Sequence, residues 1–383
     1  MDGSEVEWKP LDEVANIVNN ARKPVKSSSR VSGNIPYYGA NNIQDYVEGY
    51  THEGEFVLIA EDGSASLENY SIQWAVGKFW ANNHVHVVNG KEKLNNRFLY
   101  HYLTNMNFIP FLAGKERAKL TKAKLQQIPI PIPPLSVQTE IVKILDALTA
   151  LTSELTSELT SELILRQKQY EYYREKLLSE EELGKVGFEW KTIDEISKKI
   201  SSGGTPTTSN NGYYDNGTIP WLRTQEVDFK EIWDTNIKIT EDALNNSSAK
   251  WIPANCVIVA MYGATVGKTA INKIPLTTNQ ACANIEINDK LACYRYIFHY
   301  LTSKYEYIKS LGSGSQTNIN AQIIKKLKVP VPPIEEQYRI VSILDKFETL
   351  TNSITEGLPL AIEQSQKRYE YYRELLLNFP SRE

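Results

Sequence analysis

Two segments of the chain carry apolar residues at the three- and four-residue spacing of a long amphipathic helix. In the first segment the apolar positions run from 137 to 163 and continue at 170, 173 and 177. Pro133 and Pro134 stand just before them, where proline can begin a helix, so one straight helix is predicted over 135–179. Forty-five residues at 1.5 Å each extend over about 67 Å. The second segment has Gly357-Leu358-Pro359 in mid-pattern, which predicts a break or kink there.

These two segments are copies of one another. Residues 133–178 align with 332–377 at a constant offset of 199 without a gap, and 22 of the 46 aligned positions are identical. Ordinary composition would give about three identities by chance. The preceding blocks repeat loosely, since Val57 to Gly63 resembles Val257 to Gly263 and Trp8 has a counterpart in Trp190. The chain therefore alternates a variable and a near-constant block twice, and four segments are predicted: 1–131, 132–182, 183–330 and 331–383.

The variable blocks have the mixed pattern of α/β domains. Strands are predicted at Phe56 to Ala60, Val85 to Val88, Val257 to Ala260 and Ala283 to Ile287. Helices are predicted at Asn95 to Thr104 and Leu291 to Leu301. Glycine and asparagine cluster between these elements, so the loops offer short polar side chains and exposed backbone N–H groups.

A tandem Leu-Thr-Ser-Glu sequence occurs three times inside the first helical segment, from Leu151 to Glu162. Four residues advance a helix by 400°, so the leucine stripe drifts by about 40° per repeat. This pattern predicts a helical surface that winds round a partner, with Glu154, Glu158 and Glu162 in solvent. Two interpretations remain open: low-complexity filler on a helix, or a spacer that sets length, because tandem tetrapeptides are gained or lost whole.

Composition and charge narrow the class of protein. The chain has 383 residues, 41% of them hydrophobic and 23% charged, as in globular proteins of two or three domains. The net charge of −4 is unevenly spread: it is 0 over 1–130, −5 over 131–183, +4 over 184–330 and −3 over 331–383. No apolar run approaches a membrane span, and the acidic N-terminus is unlike a secretory signal. Three cysteines without C-x-x-C spacing fit a reducing cytoplasm, where we expect the protein to be located.

The sequence lacks the constellations of common enzymes. Between Gly263 and Gly267 there are three residues, whereas a P-loop needs four, so these glycines are predicted to shape a loop between strands. His84 and His86 are expected on one face of a strand, but no ligand lies at metal-binding spacing, so no metal site is predicted. No adenine-methyltransferase tetrad, nucleophile elbow or convincing nuclease carboxylate cluster occurs. The chain therefore has the character of a binding scaffold.

The pattern of blocks and motifs resembles the specificity subunit of type I restriction–modification systems. The duplicated blocks around Pro133-Pro134 and Tyr170 to Glu175 carry the resemblance, together with the Leu-Thr-Ser-Glu repeats. In the second variable block, further patterns shared with that family are Gly203-Gly-Thr-Pro206, Ile219-Pro-Trp221, Gly263 to Gly267 and Asn279-Gln280. The first block carries a looser match at Ile35 to Ala40 and lacks the Gly-Gly-Thr-Pro and Asn-Gln elements.

The resemblance implies an α+β fold in which two α/β target recognition domains are joined and separated by two long packed helices, with pseudo-twofold symmetry. Each domain would recognise one half of a split, asymmetric site in double-stranded DNA. Two methyltransferase subunits would bring S-adenosylmethionine and methylate adenine, and motor–nuclease subunits would join for restriction. The chain itself would bind no cofactor or metal, would have no catalytic residue and would not contact a membrane.

Base recognition requires amides, hydroxyls and cations at groove edges, with phosphate contacts for register. The candidate DNA contacts in the first block are Asn41, Asn42, Ser64, His84, Lys115, Arg117 and Lys119. Those in the second block are Thr205, Thr207, Tyr262, Lys268, Asn279, Gln280, Ser315, Gln316 and Asn318. The alternative for each is a solvated loop residue. The alternative for the whole chain is a non-enzymatic coiled-coil adaptor with two peptide- or polysaccharide-binding lobes, and an enzyme ranks third.

Overall fold

The computed structural model describes residues 6–114, 118–312, 318–352 and 356–380. The strands of the first half are β1 (Glu7–Pro10), β2 (Ala15–Ile17), β3 (Ser32–Tyr38), β4 (Ile43–Val47), β5 (His52–Ala60), β6 (Ile72–Ala81), β7 (Val85–Gly90) and β8 (Pro129–Ile132). The helices there are α1 (Leu11–Val14), α2 (Asn96–Thr104), α3 (Lys122–Gln126) and the long α4 (Leu135–Leu177).

The second half repeats this alternation with more strands. After α5 (Glu180–Gly184) the strands are β9 (Glu189–Thr192), β10 (Ser197–Ser202), β11 (Ile219–Leu222), β12 (Lys230–Ile232), β13 (Lys238–Ile239), β14 (Trp251–Ile252), β15 (Val257–Ala260), β16 (Thr269–Asn272), β17 (Leu276–Thr278), β18 (Cys282–Ile287) and β19 (Lys328–Val331). The helices are α6 (Glu241–Asn245), α7 (Tyr294–Ser303), α8 (Tyr305–Ser310), α9 (Ala321–Lys326), α10 (Ile334–Asn352) and α11 (Leu358–Leu377).

The long helices form as their sequence pattern predicts. Helix α4 is continuous for 43 residues and begins directly after Pro134, so the straight first copy is confirmed. In the second copy α10 ends at Asn352 and α11 begins at Leu358. Gly357 has a φ of +92°, and a Cβ there would lie 2.7 Å from the carbonyl oxygen of Thr349. The expected break is therefore confirmed, and only glycine fits the position.

The chain divides into two compact units, named unit 1 and unit 2. Unit 1 comprises residues 1–159 and 361–383, and unit 2 comprises residues 160–360. Each unit therefore contains one variable block, the start of the helix after it and a stretch of the other near-constant block. The four segment boundaries 1–131, 132–182, 183–330 and 331–383 describe the sequence repeat and stay a prediction.

Unit 1 is built on a mixed six-stranded sheet with the order β2-β7-β5-β6-β3-β4. Strand β5 lies inside it and pairs antiparallel with both β6 and β7. Helix α2 packs on the sheet through Phe98 and Leu99, and the same core takes in Ile141 and Leu145 of α4. The long helix is thus part of the domain core, because its apolar stripe closes over the sheet and α2.

Unit 2 has a five-stranded sheet, β10-β18-β15-β16-β12, and a four-stranded sheet, β13-β11-β17-β14. Its main core joins Val257 and Val259 of β15 to Ile297 of α7 and Leu344 of α10. In both units a two-stranded ribbon closes the domain: Trp8 is opposite Pro131 in β1–β8, and Trp190 is opposite Pro330 in β9–β19. The predicted α+β fold with duplicated α/β domains is confirmed.

A duplicated glutamine fixes each long helix to its domain. Gln138 is fully buried; its side-chain oxygen accepts from the backbone N–H of Asn95 at 2.8 Å, and its nitrogen donates to the carbonyl of Pro133 at 2.8 Å. Gln337 repeats this with the N–H of Cys293 at 2.8 Å and the carbonyl of Pro332 at 2.9 Å. A buried amide with both ends satisfied orients the helix start against α2 or α7.

A duplicated aspartate adds a charged contact about two turns further along each helix. In unit 1, Asp146 accepts from Arg97 Nε and His101 Nε2, both at 2.8 Å. In unit 2, Asp345 accepts from Arg295 Nη2 at 2.7 Å and His299 Nε2 at 2.8 Å. The equivalent aspartates in the near-constant blocks therefore bind the equivalent helices of the variable blocks.

The long helices also pack on each other within each unit, as the packed-helix prediction requires. In unit 1, Thr149 Oγ1 of α4 lies 3.1 Å from the Tyr369 hydroxyl of α11. In unit 2, Tyr173 of α4 stacks on Phe347 of α10 with ring centroids 5.5 Å apart.

The leucine stripe of the tandem repeat is exposed at Leu151 and Leu155 and partly buried at Leu159 and Leu163. Leu151 is 62% exposed and Leu155 is 38% exposed, whereas Thr152 is less exposed than either. Leu151 and Leu155 therefore lie at the surface and outside the buried cores of the described residues. Glu154 and Glu158 are exposed as expected, and the Glu162 side chain is 39% exposed and pairs with Arg166 at 2.7 Å. No helix in the described ranges has the length and apolarity that crossing a bilayer requires.

Candidate nucleic-acid interface

Unit 1 has a cleft of about 780 Å³ at the end of β5. Strand β5 runs into the loop 61–71, and the segment before α3 borders that loop through a β-bridge between Asp62 and Lys119. Five predicted contact residues line this cleft together: Asn41, Asn42, Ser64, His84 and Lys119. Lys115 and Arg117, the other two candidates of this block, lie outside the described residues.

Two of these residues are engaged inside the loops that they shape. Asn41 donates from Nδ2 to the carbonyl of Gly63 at 2.8 Å and accepts from the N–H of Ala65 at 2.9 Å. Ser64 Oγ donates to the carbonyl of Ser66 at 2.7 Å and accepts a backbone N–H bond as well. These bonds give Asn41 and Ser64 a structural role, and base contact by either stays a prediction. Asn42 is exposed at the cleft edge.

A partly buried carboxylate organises the positive charge beside the cleft. Glu61 accepts from Arg22 Nη1 at 2.7 Å and pairs with Lys119 Nζ at 2.9 Å. Burial opposes ionisation of Glu61, but the hydrogen bonds from Arg22 and Lys119 outweigh it and lower the pKa of this carboxyl. The hydrogen bond that Lys119 donates to Glu61 raises the pKa of Lys119 in turn. Lys119 therefore lies at the cleft as a cation that its ion pair with Glu61 keeps in place, and its side chain is 46% exposed.

The two histidines near this cleft differ from expectation. They were expected on one strand face, but β7 begins at Val85, so His84 lies in the turn before the strand. His86 is fully buried and bonds the carbonyl of Leu120 at 2.7 Å through Nε2. Burial lowers the pKa of His86. Only His84 faces the cleft; its side chain is 49% exposed and its Nδ1 lies 2.5 Å from Asp62 Oδ1.

In unit 2 the candidates gather at one edge of the four-stranded sheet. Strands β11 and β17 are parallel neighbours, with Leu222 opposite Thr278, so the residues after both strands meet at the same edge. Asn279 and the exposed Gln280 come after β17, and Thr205 hydrogen bonds the side chain of Gln280. The Thr205, Asn279 and Gln280 candidates are thus brought together.

The loop after β15 joins this edge. A backbone bond of 2.8 Å from the N–H of Met261 to the carbonyl of Ala281 places the neighbouring Tyr262, which is 39% exposed, beside it. Lys268 directly precedes the return strand, and its ammonium group pairs with Asp228 at 2.6 Å. The expected loop between strands is confirmed here, since Gly263 and Gly267 both have positive φ values between β15 and β16.

Fewer described contacts connect the remaining candidates of unit 2 to this edge of the four-stranded sheet. Asn318 directly precedes Ile319, whose N–H donates to the carbonyl of Met261 at 3.0 Å. Thr207 is exposed, and no described contact joins it to the sheet edge. Ser315 and Gln316 lie outside the described residues.

The candidate surfaces of the two units share one backbone framework. In unit 1 the N–H of Leu120 donates to the carbonyl of Glu61 at 2.8 Å, as Ile319 does to Met261 in unit 2. The next residues along the chain after these carbonyls are Asp62 and Tyr262, and each precedes a glycine with a positive φ. Asp62 and Tyr262 therefore occupy equivalent positions with different chemistry.

Three polar residues at these surfaces were missed by the sequence analysis. Asp62 and Gln44 line the unit 1 cleft. Arg223 comes directly after β11, and its Nε is buried without a hydrogen-bond partner among the described residues. Asp62 could have been found, because it precedes the glycine of the repeated Val57 to Gly63 segment. Nothing in the spacing of Arg223 indicates that β11 lies beside β17.

One group of possible metal ligands lies elsewhere in unit 2. The ligand atoms of His299, Asp345 and Glu348 lie within 4.8 Å of one another. Arg295 contacts both carboxylates, at 2.7 Å for Asp345 and 3.2 Å for Glu348. A bound cation would face the guanidinium group, so the arrangement suits an ion-pair network that holds α7 to α10.

Comparisons with known proteins agree with this architecture. The Type I restriction modification DNA specificity domain family matches residues 3–164 and 185–364. A putative type I restriction enzyme specificity subunit of Haemophilus influenzae is 64% identical over 389 residues, covering 99% of this chain and 97% of that protein. The EcoR124I/EcoR124II specificity subunit of Escherichia coli is 37% identical over 402 residues, covering 100% and 96%. The HsdS subunit of Thermoanaerobacter tengcongensis shares the fold, with a TM-score of 0.56 at 16% identity over 97% of this chain and 95% of that one.

The chain therefore belongs to the family of type I restriction–modification specificity subunits. This confirms the resemblance carried by the duplicated blocks and assigns the chain to the DNA-recognition component of such systems.

Proposed function

We propose that each unit of this chain recognises one half of a bipartite, asymmetric site in double-stranded DNA. The observation that supports this most directly is the shared backbone around Asp62 and Tyr262, on which the units present different side chains. A duplicated framework accounts for a site in two parts. Different polar groups on it account for two different halves, because base identity is recognised by side-chain donors and acceptors at the groove edges.

We further infer that the catalytic chemistry belongs to partner subunits. Two methyltransferase subunits would carry S-adenosylmethionine and methylate adenine, and motor–nuclease subunits would join for restriction. Tyr172 is 57% exposed and its repeat counterpart Tyr371 is 62% exposed; Tyr173 and Tyr372 are 40% and 42% exposed. Similar exposure of the same aromatic motif in both near-constant blocks suits two equivalent docking surfaces for two copies of one partner.

The proposal is tested by methylation-sensitive sequencing of a host that carries this chain with its methyltransferase partner. We expect one methylated motif with two different ends and an unspecific spacer between them. The purified chain alone, supplied with S-adenosylmethionine, is the control and should transfer no methyl group to DNA. A mobility shift of the complex that is independent of DNA sequence would favour an adaptor and contradict the proposal.

A further inference from the structure

The carboxylate of Asp62 lines the unit 1 cleft, and one of its oxygens has no hydrogen-bond partner among the described residues. His84 Nδ1 lies 2.5 Å from Asp62 Oδ1, and since a carboxylate only accepts, the imidazole must donate. The Asp62 side chain is 38% exposed, and within the described part of the chain no group hydrogen bonds its Oδ2. One oxygen is thus oriented by the protein, the other has no hydrogen-bond partner among the described residues, and the residue lines the cleft.

The surroundings of Asp62 suit a nucleic-acid groove in spite of its charge. Lys119 and the half-exposed His84 line the same cleft, so a cation lies near the carboxylate and limits its repulsion from DNA phosphates. Asn42 and Gln44 lie on the cleft wall and can donate as well as accept. Among the described side chains that line the cleft, Asp62 is the acidic one. Its carboxylate can accept hydrogen bonds from a ligand but cannot donate any.

The chemistry of an acceptor-only group determines what it can select. In the major groove every base pair displays one exocyclic amino donor, N6 of adenine or N4 of cytosine. On the strand that a carboxylate faces, adenine or cytosine offers this donor, whereas guanine O6 or thymine O4 would oppose the carboxylate with another acceptor.

We propose that Asp62, oriented by His84, is a specificity-determining residue that accepts a hydrogen bond from an exocyclic base amine and selects adenine or cytosine at one position of one half-site. This inference rests on the proposed function. At the equivalent position of unit 2, the 39% exposed Tyr262 has a hydroxyl that both donates and accepts. In the second half-site no carboxylate at this position selects adenine or cytosine, so the same backbone framework recognises different bases in the two units.

The experiment uses the complex of the full chain with its methyltransferase partner, and it maps methylated sites for the wild type and three variants. Asp62→Asn replaces an acceptor-only group by one that also donates, so the preference for adenine or cytosine at one position should fall roughly tenfold to a hundredfold. Asp62→Glu keeps the acceptor and should keep the preferred bases. Glu53→Gln is the matched control, because it changes an exposed carboxylate of β5 that is not among the described residues lining the cleft, and it should leave that position unchanged.

A second measurement does not depend on how any variant folds. Oligonucleotides in which the selected adenine or cytosine is replaced by an analogue without the amino group should bind the wild-type complex roughly tenfold to a hundredfold more weakly. The same replacement should cost the Asp62→Asn complex little, because the acceptor is gone.

Three outcomes overturn the inference. Base preference could be unchanged in Asp62→Asn, or all positions of both halves could weaken equally, or removal of the amino group could leave wild-type binding intact. If the wild-type complex recognises no two-part site, the proposed function itself fails. A wild-type complex with a two-part site that is indifferent to Asp62 rejects this inference alone.

Discussion

The same substitution in the two copies of the near-constant block should have unequal effects on stability. The substitutions are Asp345→Asn and Asp146→Asn, which each remove one negative charge from the contact between a long helix and α7 or α2. In unit 2, Asp345 lies between Arg295, whose side chain is 17% exposed, and the fully buried His299. In unit 1, Asp146 is itself 41% exposed and its partner Arg97 is 26% exposed.

How much each substitution lowers the free energy of unfolding depends on how deeply its ion pair is buried. Breaking a fully buried ion pair costs about 3–5 kcal/mol. Asp345 is 32% exposed and Arg295 retains Glu231 and Glu348, so we expect Asp345→Asn to cost about 2–3 kcal/mol. Asp146→Asn removes the solvent-screened ion pair with Arg97 and weakens one hydrogen bond to the buried His101. We expect it to lower the free energy of unfolding by about 1–2 kcal/mol.

Local unfolding is the appropriate readout, since a chain of two units need not unfold in one step. Hydrogen exchange of backbone amides in α7 should accelerate more in Asp345→Asn than exchange in α2 accelerates in Asp146→Asn. Asp289→Asn is the control, because that exposed carboxylate pairs only with Lys198 among the described residues and its removal should leave both helices unchanged. An equal or larger effect at Asp146 would refute the argument from burial.

Two further predictions concern pH and salt. Burial lowers the pKa of His52, His86 and His101, all in unit 1, so the unfolded chain takes up protons that the folded unit does not as pH falls below about 6.5. The free energy of unfolding of unit 1 should therefore fall by up to about 1.4 kcal/mol per pH unit for each histidine as the solution is acidified. Denaturant unfolding at pH 7.5 and pH 5.5 measures this change, and an equal free energy of unfolding at both pH values contradicts the prediction. Replacing Lys115, Arg117 and Lys119 by alanine should weaken DNA binding broadly and flatten its salt dependence by about 0.9 in slope for each phosphate no longer neutralised, and an unchanged slope would place the cluster away from DNA.

Local pattern predicted the framework of the fold well, because strands and helix ends depend on neighbouring residues. Strand β15 has the predicted limits Val257–Ala260, and the helix break falls at Gly357, where the backbone requires a positive φ. The packing of the tandem repeat could not be predicted in this way. Its leucines have helical spacing, yet whether Leu151 faces a core depends on tertiary contacts that spacing does not contain.

In the candidate site, too, local sequence predicted some features, while others depend on contacts between distant residues. Composition and loop position pointed to five of the residues that line the unit 1 cleft, whereas their contact with DNA stays a prediction. The role of each side chain depends on bonds between distant residues: Asn41 is engaged by Gly63 and Ala65, whereas Asp62 is oriented by His84, 22 residues away. An acidic residue is also discounted when cations are sought at a DNA interface, although it is an acceptor that base amines can use.

The tandem repeat is the feature with the clearest geometric consequence for DNA spacing. Helix α4 is continuous through it, with residues 135–159 in unit 1 and 160–177 in unit 2. Deleting Leu155 to Glu158 removes about 6 Å of helix and rotates the remainder of α4 by about 40°. A base pair contributes about 3.4 Å and roughly 35°. Translation permits a change of one or two base pairs and rotation favours one, so we predict a spacer shorter by one base pair.

The half-site bases should not change in this deletion, because neither variable block is altered. Leu155 is exposed, so its removal creates no cavity, and Leu159 takes its place in the repeat. Genome-wide mapping of methylated sites measures spacing and bases together. Glu154→Gln with Glu158→Gln keeps the helix length and should keep the spacing. An unchanged spacing in the deletion would mean that helix packing absorbs four residues, and altered bases at unchanged spacing would mean that the repeat acts on recognition itself; either result rejects the repeat as the element that sets the distance.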